Sequence, residues 1–577
     1  MNTLTNQISA INPQNEIKVW ADVGGTFTDC FVITGGQTLA TKVLSSGVMR
    51  ATVAEPVAAG KFRLRDSEPL GCDQFWRGAT VSLLPPDSDH EPDVATTARV
   101  KSYNAAKSLL EISSDDQAWS TVSGGAVIEL DAGLEAPVVA TRLLLGIPVG
   151  DPLPRLDVRL GTTRGTNALL TRRGAPVGLL VTAGFGDVLR IGQQNRPELF
   201  SLAIDKPRPL TEDVVEVRER LDAEGNVVTP IDLADLREKL FQLRRRGVKS
   251  LSICLLHAYV SDVHERLVEK LAREVGFDEL SLSCEVAPLI KLVSRAETTT
   301  LDAYLNPILT RYVAKTWSQF GGQRSCRLRL MTSAGNLVAP AAFRGRDSIL
   351  SGPAGGVVAL AAVTQQAGAD AAIGLDMGGT STDVSRFEGR MGRRYESEVA
   401  GVHIMTPMMD IHTVAAGGGS ICGYRHGRFH VGPDSAGADP GPACYGRGGP
   451  LTITDVNLLL GRIPAARFPL PLDRDAARSR LLEIVDRARR EGHTVESAET
   501  IADGFLQIAV THMAEAVRQV STAEGTDPRV MTLVGFGGAA GQHLCRIADG
   551  LQMRRILDHP HAGMLSALGM GLASIGH

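Results

Sequence analysis

The sequence predicts an α/β protein built as two similar halves, with a β-rich excursion inside the first. Three observations carry that reading. The pattern D-x-G-G-T-x-T-D occurs twice, as Asp22, Gly24, Gly25, Thr26, Thr28, Asp29 and again as Asp376, Gly378, Gly379, Thr380, Thr382, Asp383. Each copy opens a run of short strands separated by glycine turns, so the repeat is a supersecondary unit and not just a peptide. Around the two copies, amphipathic helices alternate with apolar strands, as in α/β units.

Taken in order, IKVWADV, TDCFVIT and TLATKVL read as three strands joined by Gly-Gly turns, a meander. Residues 53–150 change character to short alternating runs such as FWRGATVSLL, which predicts a β-rich insert. A helix is expected over 163–173, a buried strand at VGLLVT, and an amphipathic helix before the apolar strand SLSICLL. SRAETTTLDAYLNPILTRYVAKTWSQF reads as a long helix, kinked or started afresh near Pro307, because proline lacks the N–H that a helix interior uses. The second meander is AAIGLDM, TDVSRFE and a third strand around RRYESEV. Two amphipathic helices then lead to the strand VMTLVGF, the turn GGAAGQH and a helix over 540–549. The expected division is 16–52 with 151–365 as the first domain, 53–150 as the insert and 366–577 as the second domain.

Composition narrows the function. A chain of 577 residues holds several cores at roughly 150 residues per domain. A net charge of −4 and 5% aromatic residues offer neither a basic stripe nor a stacking surface, so neither nucleic acid nor an anionic membrane is an expected partner. The eight cysteines are scattered, without the close spacing of a zinc or iron–sulfur site. No apolar run has membrane-spanning length, and a cytoplasmic location is expected.

The chemistry of the repeat follows from its residue types. An aspartate at a strand end followed by Gly-Gly-Thr places backbone N–H groups and a hydroxyl around a small concavity, and the missing Cβ atoms let phosphate oxygens approach the main chain. The carboxylate can hold Mg²⁺ beside them, through water. One copy alone reads equally well as a hairpin whose aspartate caps its own turn; two copies, each opening a meander, favour a polyphosphate gripped at both ends. The turn after VMTLVGF fits a nucleoside, or else close packing of helix on sheet.

These residues resemble the actin, hexokinase and Hsp70 superfamily of ATPases. The stretches LGTTRGTNALLTRRG, IGQQNRPELFSL, LSGPAGGVVAL, MDIHTVAAGGGSI, VGPDSAGADPGPACYGRGG and TLVGFGGAAGQH resemble the hydantoinase A/5-oxoprolinase family, in particular the N-terminal half of 5-oxoprolinase. The resemblance covers most of 16–46 and 155–577 and leaves the insert unplaced. It implies duplicated ATPase domains around a nucleotide cleft. It also implies ATP and Mg²⁺ as cofactors, and phosphorylation of the carbonyl oxygen of a small cyclic amide such as 5-oxoproline or a hydantoin. Carried over, Asp22 and Asp376 organise Mg²⁺ and the reacting groups. Gly24, Gly25, Thr26, Thr28, Gly378, Gly379, Thr380 and Thr382 hold phosphates, and Gly537, Gly538 and Gln542 line the nucleoside pocket. A hydantoinase B-like subunit or C-terminal half is the expected partner for ring opening, and an oligomer is expected.

Asp410 and His412, just before a glycine-rich turn, are candidates for acid/base work, and equally for a structural pair. Asn195 and Arg196 are candidates for gripping a substrate carboxylate, with a surface arginine as the bland alternative. Cys444 has no base nearby in sequence and is not expected to be a nucleophile. The competing functions are the ATP-using subunit of an acetone- or acetophenone-type carboxylase and an Hsp70- or actin-like switch.

Overall fold

The computed structural model describes residues 16–65, 70–84, 96–114, 116–194, 200, 202, 203, 206–468, 471–494 and 497–576. The chain folds into two compact units. The first comprises the chain up to Gly352, with Arg394–Met408 and the residues from Ser574; the second comprises Pro353–Arg393 and Met409–Ala573.

The first unit is organised by a six-stranded sheet whose central strand is Ile17–Val23. Period-two alternation buries Ile17, Val19, Ala21 and Val23 on one face and sends Lys18, Trp20 and Asp22 to the other. On one side this strand pairs antiparallel with Phe27–Thr34, which pairs with Gln37–Leu44. On the other it pairs in parallel with Leu156–Thr162, itself parallel to Cys326–Met331. The helix Ala136–Leu145 covers the apolar face with Ala136, Val138, Ala140 and Leu145.

A six-stranded closed barrel occupies 49–131, between the third strand and that helix. Its interior is filled by Trp76, Phe75, Phe62 and Tyr103, all at most 1% exposed. The Trp76 indole N–H donates to the Leu70 carbonyl at 2.7 Å, so the ring is buried without an orphaned donor. The two ends of the excursion meet where Gly47 touches the Leu134 carbonyl.

A second sheet of this unit, with strands Asp213–Val217, Val177–Thr182, Ser250–Cys254 and Glu279–Leu282 in that order, is wholly parallel. Leu233–Arg245 and Val263–Val275 are its crossover helices. The long helix Leu292–Gln319 runs on through Pro307 and does not start afresh there. Burial of sixteen of its side chains outweighs the roughly 3 kcal/mol an internal proline costs.

The second unit repeats the plan. Ala371–Met377 pairs antiparallel with Thr382–Glu388 on one side and in parallel with Thr532–Phe536 on the other, and Arg555–Asp558 extends the parallel side. The third strand of the meander is Ile411–Val414 and not the stretch around RRYESEV. Ser397–Val399 instead pairs with Val402–Ile404 in a hairpin of the first unit. The chain leaves the sheet and returns to it, which spacing alone does not reveal. Helix Ala498–Val520 buries ten side chains, with Phe505, Leu506 and Met513 among the least exposed, and forms the centre of this core.

The two ends of the barrel meet, and helix Ala136–Leu145 packs on both cores, with Ala136, Val138, Ala140 and Leu145 on the sheet and Val139 on the barrel. Replacing 49–131 by a short linker should preserve cooperative unfolding of the remainder. Replacing 53–150, which removes the helix, should abolish it; circular dichroism of the two purified deletions through a urea titration decides between them.

Candidate functional site

In the first unit the chain reverses after Val23 through Gly24, Gly25 and Thr26 into the next strand. The Gly24 N–H donates to the Phe27 carbonyl at 3.0 Å and closes the turn. Ser45, just past the third strand, braces it. Its N–H donates to the Thr26 carbonyl at 2.9 Å and its hydroxyl to the Gly24 carbonyl at 2.8 Å. A trans peptide holds a C=O and the following N–H on opposite sides. Pinning the Gly24 carbonyl to Ser45 therefore turns the Gly25 N–H away from the brace, where it is available to an anion.

The aspartates that end the octapeptide pattern acquire meaning from the register. Asp22 stands directly opposite Asp29, and Asp29 opposite Lys42, so three charged residues form a row across three strands. Lys42 Nζ lies 2.5 Å from Asp29 Oδ1. Asp22 Oδ1 is enclosed without a hydrogen-bond partner. Burial, and next the Asp29 charge, push the Asp22 carboxyl up to about 7, with Lys42 opposing. Like charges directly opposite on neighbouring strands repel, so a cation beside this pair relieves both the burial and the repulsion.

The second unit has the same row with one change. Asp376 faces Asp383, and Asp383 faces Thr413 where the first unit has lysine. The Thr413 hydroxyl donates to Asp383 Oδ1 at 2.6 Å, and burial raises the Asp383 carboxyl above its ordinary range. The Ser566 hydroxyl lies 3.5 Å from Asp376 Oδ2. The turn closes as before, Gly378 N–H to Ser381 carbonyl at 3.0 Å. Its brace is main chain: the Gly418 N–H donates to the Gly378 carbonyl at 3.0 Å and the Gly419 N–H to the Gly379 carbonyl at 2.6 Å. The Gly379 and Thr380 N–H groups are thereby turned to the opposite side. A Cβ at Gly417 would lie 2.7 Å from the Gly379 oxygen, so the three buried glycines can approach the turn only without side chains.

The glycine turn 537–538 follows the strand parallel to Ala371–Met377. Gly537 has φ +83°, and a Cβ there would collide with Asp376 Oδ1 and with the Met377 oxygen. The Ala539 N–H donates to the Met377 carbonyl at 3.0 Å, and the Gln542 carbonyl accepts from Arg462 at 3.0 Å. Ala540–Gln542 is a single 3-10 turn, and the helix proper is Leu544–Leu551, later than expected. In the first unit the stretch Thr162, Thr163, Arg164 holds the equivalent place, with the Thr163 N–H donating to the Val23 carbonyl at 2.9 Å.

The remaining predicted residues divide. Thr26 and Thr380 are exposed at the tips of the turns. Thr28 and Thr382 are fully buried, and their hydroxyls bond Ser45 and the Ala416 carbonyl. Those hydroxyls hold the frame. His412 stands opposite Val384, and Val384 opposite Leu375, so the pleat places His412 on the sheet face opposite to Asp376. Asp410 packs against Gly392 just outside that strand. Asn195 and Arg196 lie outside the described residues. Cys444 is buried, and burial together with Asp455 raises its thiol well above the ordinary range. Sequence reasoning missed Ser45, Lys42 and Thr413, whose only signal is their place on or just past the third strand of each meander.

Among the described residues no group of three or more His, Cys, Asp or Glu side chains could hold a metal. The aspartate pairs, with the enclosed Asp22 Oδ1, nonetheless fit a divalent cation whose other ligands come from phosphate oxygens and water.

A duplicated α/β fold whose sheets each begin with an aspartate-lined, glycine-turned hairpin is a fold of the actin, hexokinase and Hsp70 type. The hydantoinase/oxoprolinase signature matches residues 295–577, and that of the hydantoinase/oxoprolinase N-terminal region matches 155–276. The chain belongs to the hydantoinase/oxoprolinase family. It is 40% identical over 487 residues to the 5-oxoprolinase of Saccharomyces cerevisiae, covering 76% of this chain and 38% of that protein. It is 33% identical over 435 residues to the caprolactamase subunit alpha of Pseudomonas jessenii, covering 72% of this chain and 61% of the subunit. The ATP-dependent caprolactamase structure from P. jessenii superposes with a TM-score of 0.65 at 26% identity, over 96% of this chain and 70% of that one. A nucleotide-free acetone carboxylase superposes with a TM-score of 0.70 at 21% identity, over 97% and 70%, a likeness of fold. The chain spans well under half the length of the 5-oxoprolinases it matches.

The raised Asp22 carboxyl has a stability consequence. Between the unfolded value near 4 and the folded value of about 7, the native state binds a proton that the unfolded chain does not. Its contribution is fully present below about pH 4 and is lost as pH rises through about 7. Without added divalent cation, Asp22→Asn should gain roughly 1–3 kcal/mol over the parent at pH 8 relative to pH 5; urea unfolding at the two pH values measures it.

Proposed function

We propose that this chain uses Mg·ATP to activate a small cyclic amide, such as 5-oxoproline or a hydantoin, for hydrolytic ring opening. The reading is supported above all by one observation: braced, aspartate-paired hairpins occur twice in a chain 40% identical to a 5-oxoprolinase. A lactam carbonyl is a poor electrophile. Its oxygen attacks the γ-phosphorus of ATP, the bond to the β-bridging oxygen breaks, and ADP leaves. The resulting O-phosphorylated imidate is a good electrophile: water adds at its carbon, the ring C–N bond breaks with the nitrogen leaving as the protonated amine, and a second water cleaves the acyl phosphate so formed into the ring-opened acid and phosphate.

In this reading Gly24, Gly25, Thr26, Gly378, Gly379 and Thr380 hold phosphates through N–H and hydroxyl groups, and Gly537, Gly538 and Gln542 lie against the nucleoside. Asp22 and Asp376 hold Mg²⁺, with Asp29 and Asp383 supporting them. The metal neutralises phosphate charge during transfer. Positioning and charge neutralisation supply most of the acceleration. Asp410, His412, Asn195 and Arg196 remain candidates for the amide end of the site, His412 the weakest because of its face. Water addition falls to a hydantoinase B-like partner or C-terminal region, in an oligomeric assembly. Among the described residues no helix is long and apolar enough to cross a membrane, and a cytoplasmic location fits the proposed substrates.

Asp376→Asn should leave the circular dichroism spectrum intact and lower ATP turnover by about a hundredfold or more; turnover equal to the parent would contradict its role. Mixing the chain with a hydantoinase B-like partner should raise amide-dependent ADP release in a panel of 5-oxoproline, hydantoins, larger lactams and ketones. Bicarbonate consumption with a ketone would instead indicate carboxylase chemistry. Complete ring opening by the chain alone would end the proposed division of labour.

A further inference from the structure

The brace of the second hairpin is itself held. The Gly418 carbonyl accepts from both the N–H and the hydroxyl of Thr454, each at 2.8 Å. Gly418 is therefore fixed on one side by Thr454 and donates on the other to Gly378. Thr454 belongs to the short helix Ile453–Leu459, whose other polar residues fasten it to the surrounding loops. The buried Asp455 carboxylate accepts from the Ala443 N–H at 3.1 Å, the Cys444 N–H at 2.7 Å, and the Thr452 N–H and hydroxyl at 2.7 and 2.8 Å. Asn457 meets the buried His543, next to Gln542 of the glycine turn, at 3.2 Å. A helix anchored at these points is a rigid mount for what Thr454 holds.

We propose that Thr454 is a positioning residue for the second phosphate hairpin, acting through the Gly418 peptide to aim the Gly379 and Thr380 N–H groups. The inference rests on the reading of that hairpin as a phosphate site. A turn of small residues has little stiffness of its own, and N–H groups that must meet phosphate oxygens lose most of their value when the peptide plane can rotate. Thr454 removes that freedom without touching the ligand. The first hairpin uses a serine hydroxyl for the same task, directly on the Gly24 carbonyl.

The test uses the full chain and Mg·ATP as the probe, with calorimetric Kd, melting temperature and amide hydrogen exchange measured together. Thr454→Val, isosteric but without the hydroxyl, should weaken Mg·ATP binding about tenfold and speed exchange of the Gly418 and Gly419 amides in the nucleotide-free chain. Thr454→Ser should restore binding to within about twofold of the parent. Gly418→Ala, whose new Cβ would lie 3.0 Å from the Thr454 hydroxyl, should weaken binding as well, and it gives the same answer should Thr454→Val not fold. Faster exchange or a lower melting temperature with an unchanged Kd overturns the inference and leaves the phosphate-site reading standing. A parent chain that does not bind Mg·ATP overturns both.

Discussion

Two carboxylates face each other at the end of the first hairpin of each sheet, and the surrounding structure is arranged to make that tolerable. Directly opposed like charges cost stability, and burial adds to the cost by stripping water from them. In the first unit the lysine on the third strand offsets part of the repulsion; in the second a threonine hydroxyl satisfies one oxygen of Asp383. What remains is an electrostatic demand for a cation, set beside N–H groups that demand an anion. Under the proposed function, magnesium carried on a polyphosphate would meet both demands at once.

The N–H groups are aimed indirectly. In the first unit a serine holds the turn, and in the second two glycine N–H groups do. The carbonyls are pinned from behind, and planarity of the peptide does the rest. This explains why residues remote in sequence matter to an eight-residue pattern. Ser45 closes the third strand of the first meander, and glycines 417–419 follow the third strand of the second. Each meander thus returns to the turn that opened it, and the third strand serves to carry the brace back.

Much of this architecture was legible in the sequence. The repeated pattern identified both hairpins, and IKVWADV and AAIGLDM were legible as the strands that lead into them. The third strand of the second meander was not legible, because a hairpin that pairs elsewhere interrupts it and local propensity cannot distinguish the two. The long helix through Pro307 was legible, and it does not start afresh there because the local cost of a proline lost to the burial of the helix. The roles of Asp29 and Asp383 depended on register, which is a property of paired strands and not of either strand. His412 sits close to the site in sequence, yet on the wrong face of a strand whose pairing was unknown.

The two braces also imply different mutational grammars for sites that look identical as peptides. Where a hydroxyl holds the turn, substitutions sort by chemistry: an oxygen at that position preserves the contact and its loss abolishes it. Where glycine N–H groups hold it, substitutions sort by volume, since a methyl group at Gly417 or Gly419 would crowd the Gly379 oxygen across the turn. A duplicated sequence has thus diverged in what it tolerates while keeping what it presents. Its two copies are free to drift along separate paths, and the octapeptide is the part that stays recognisable.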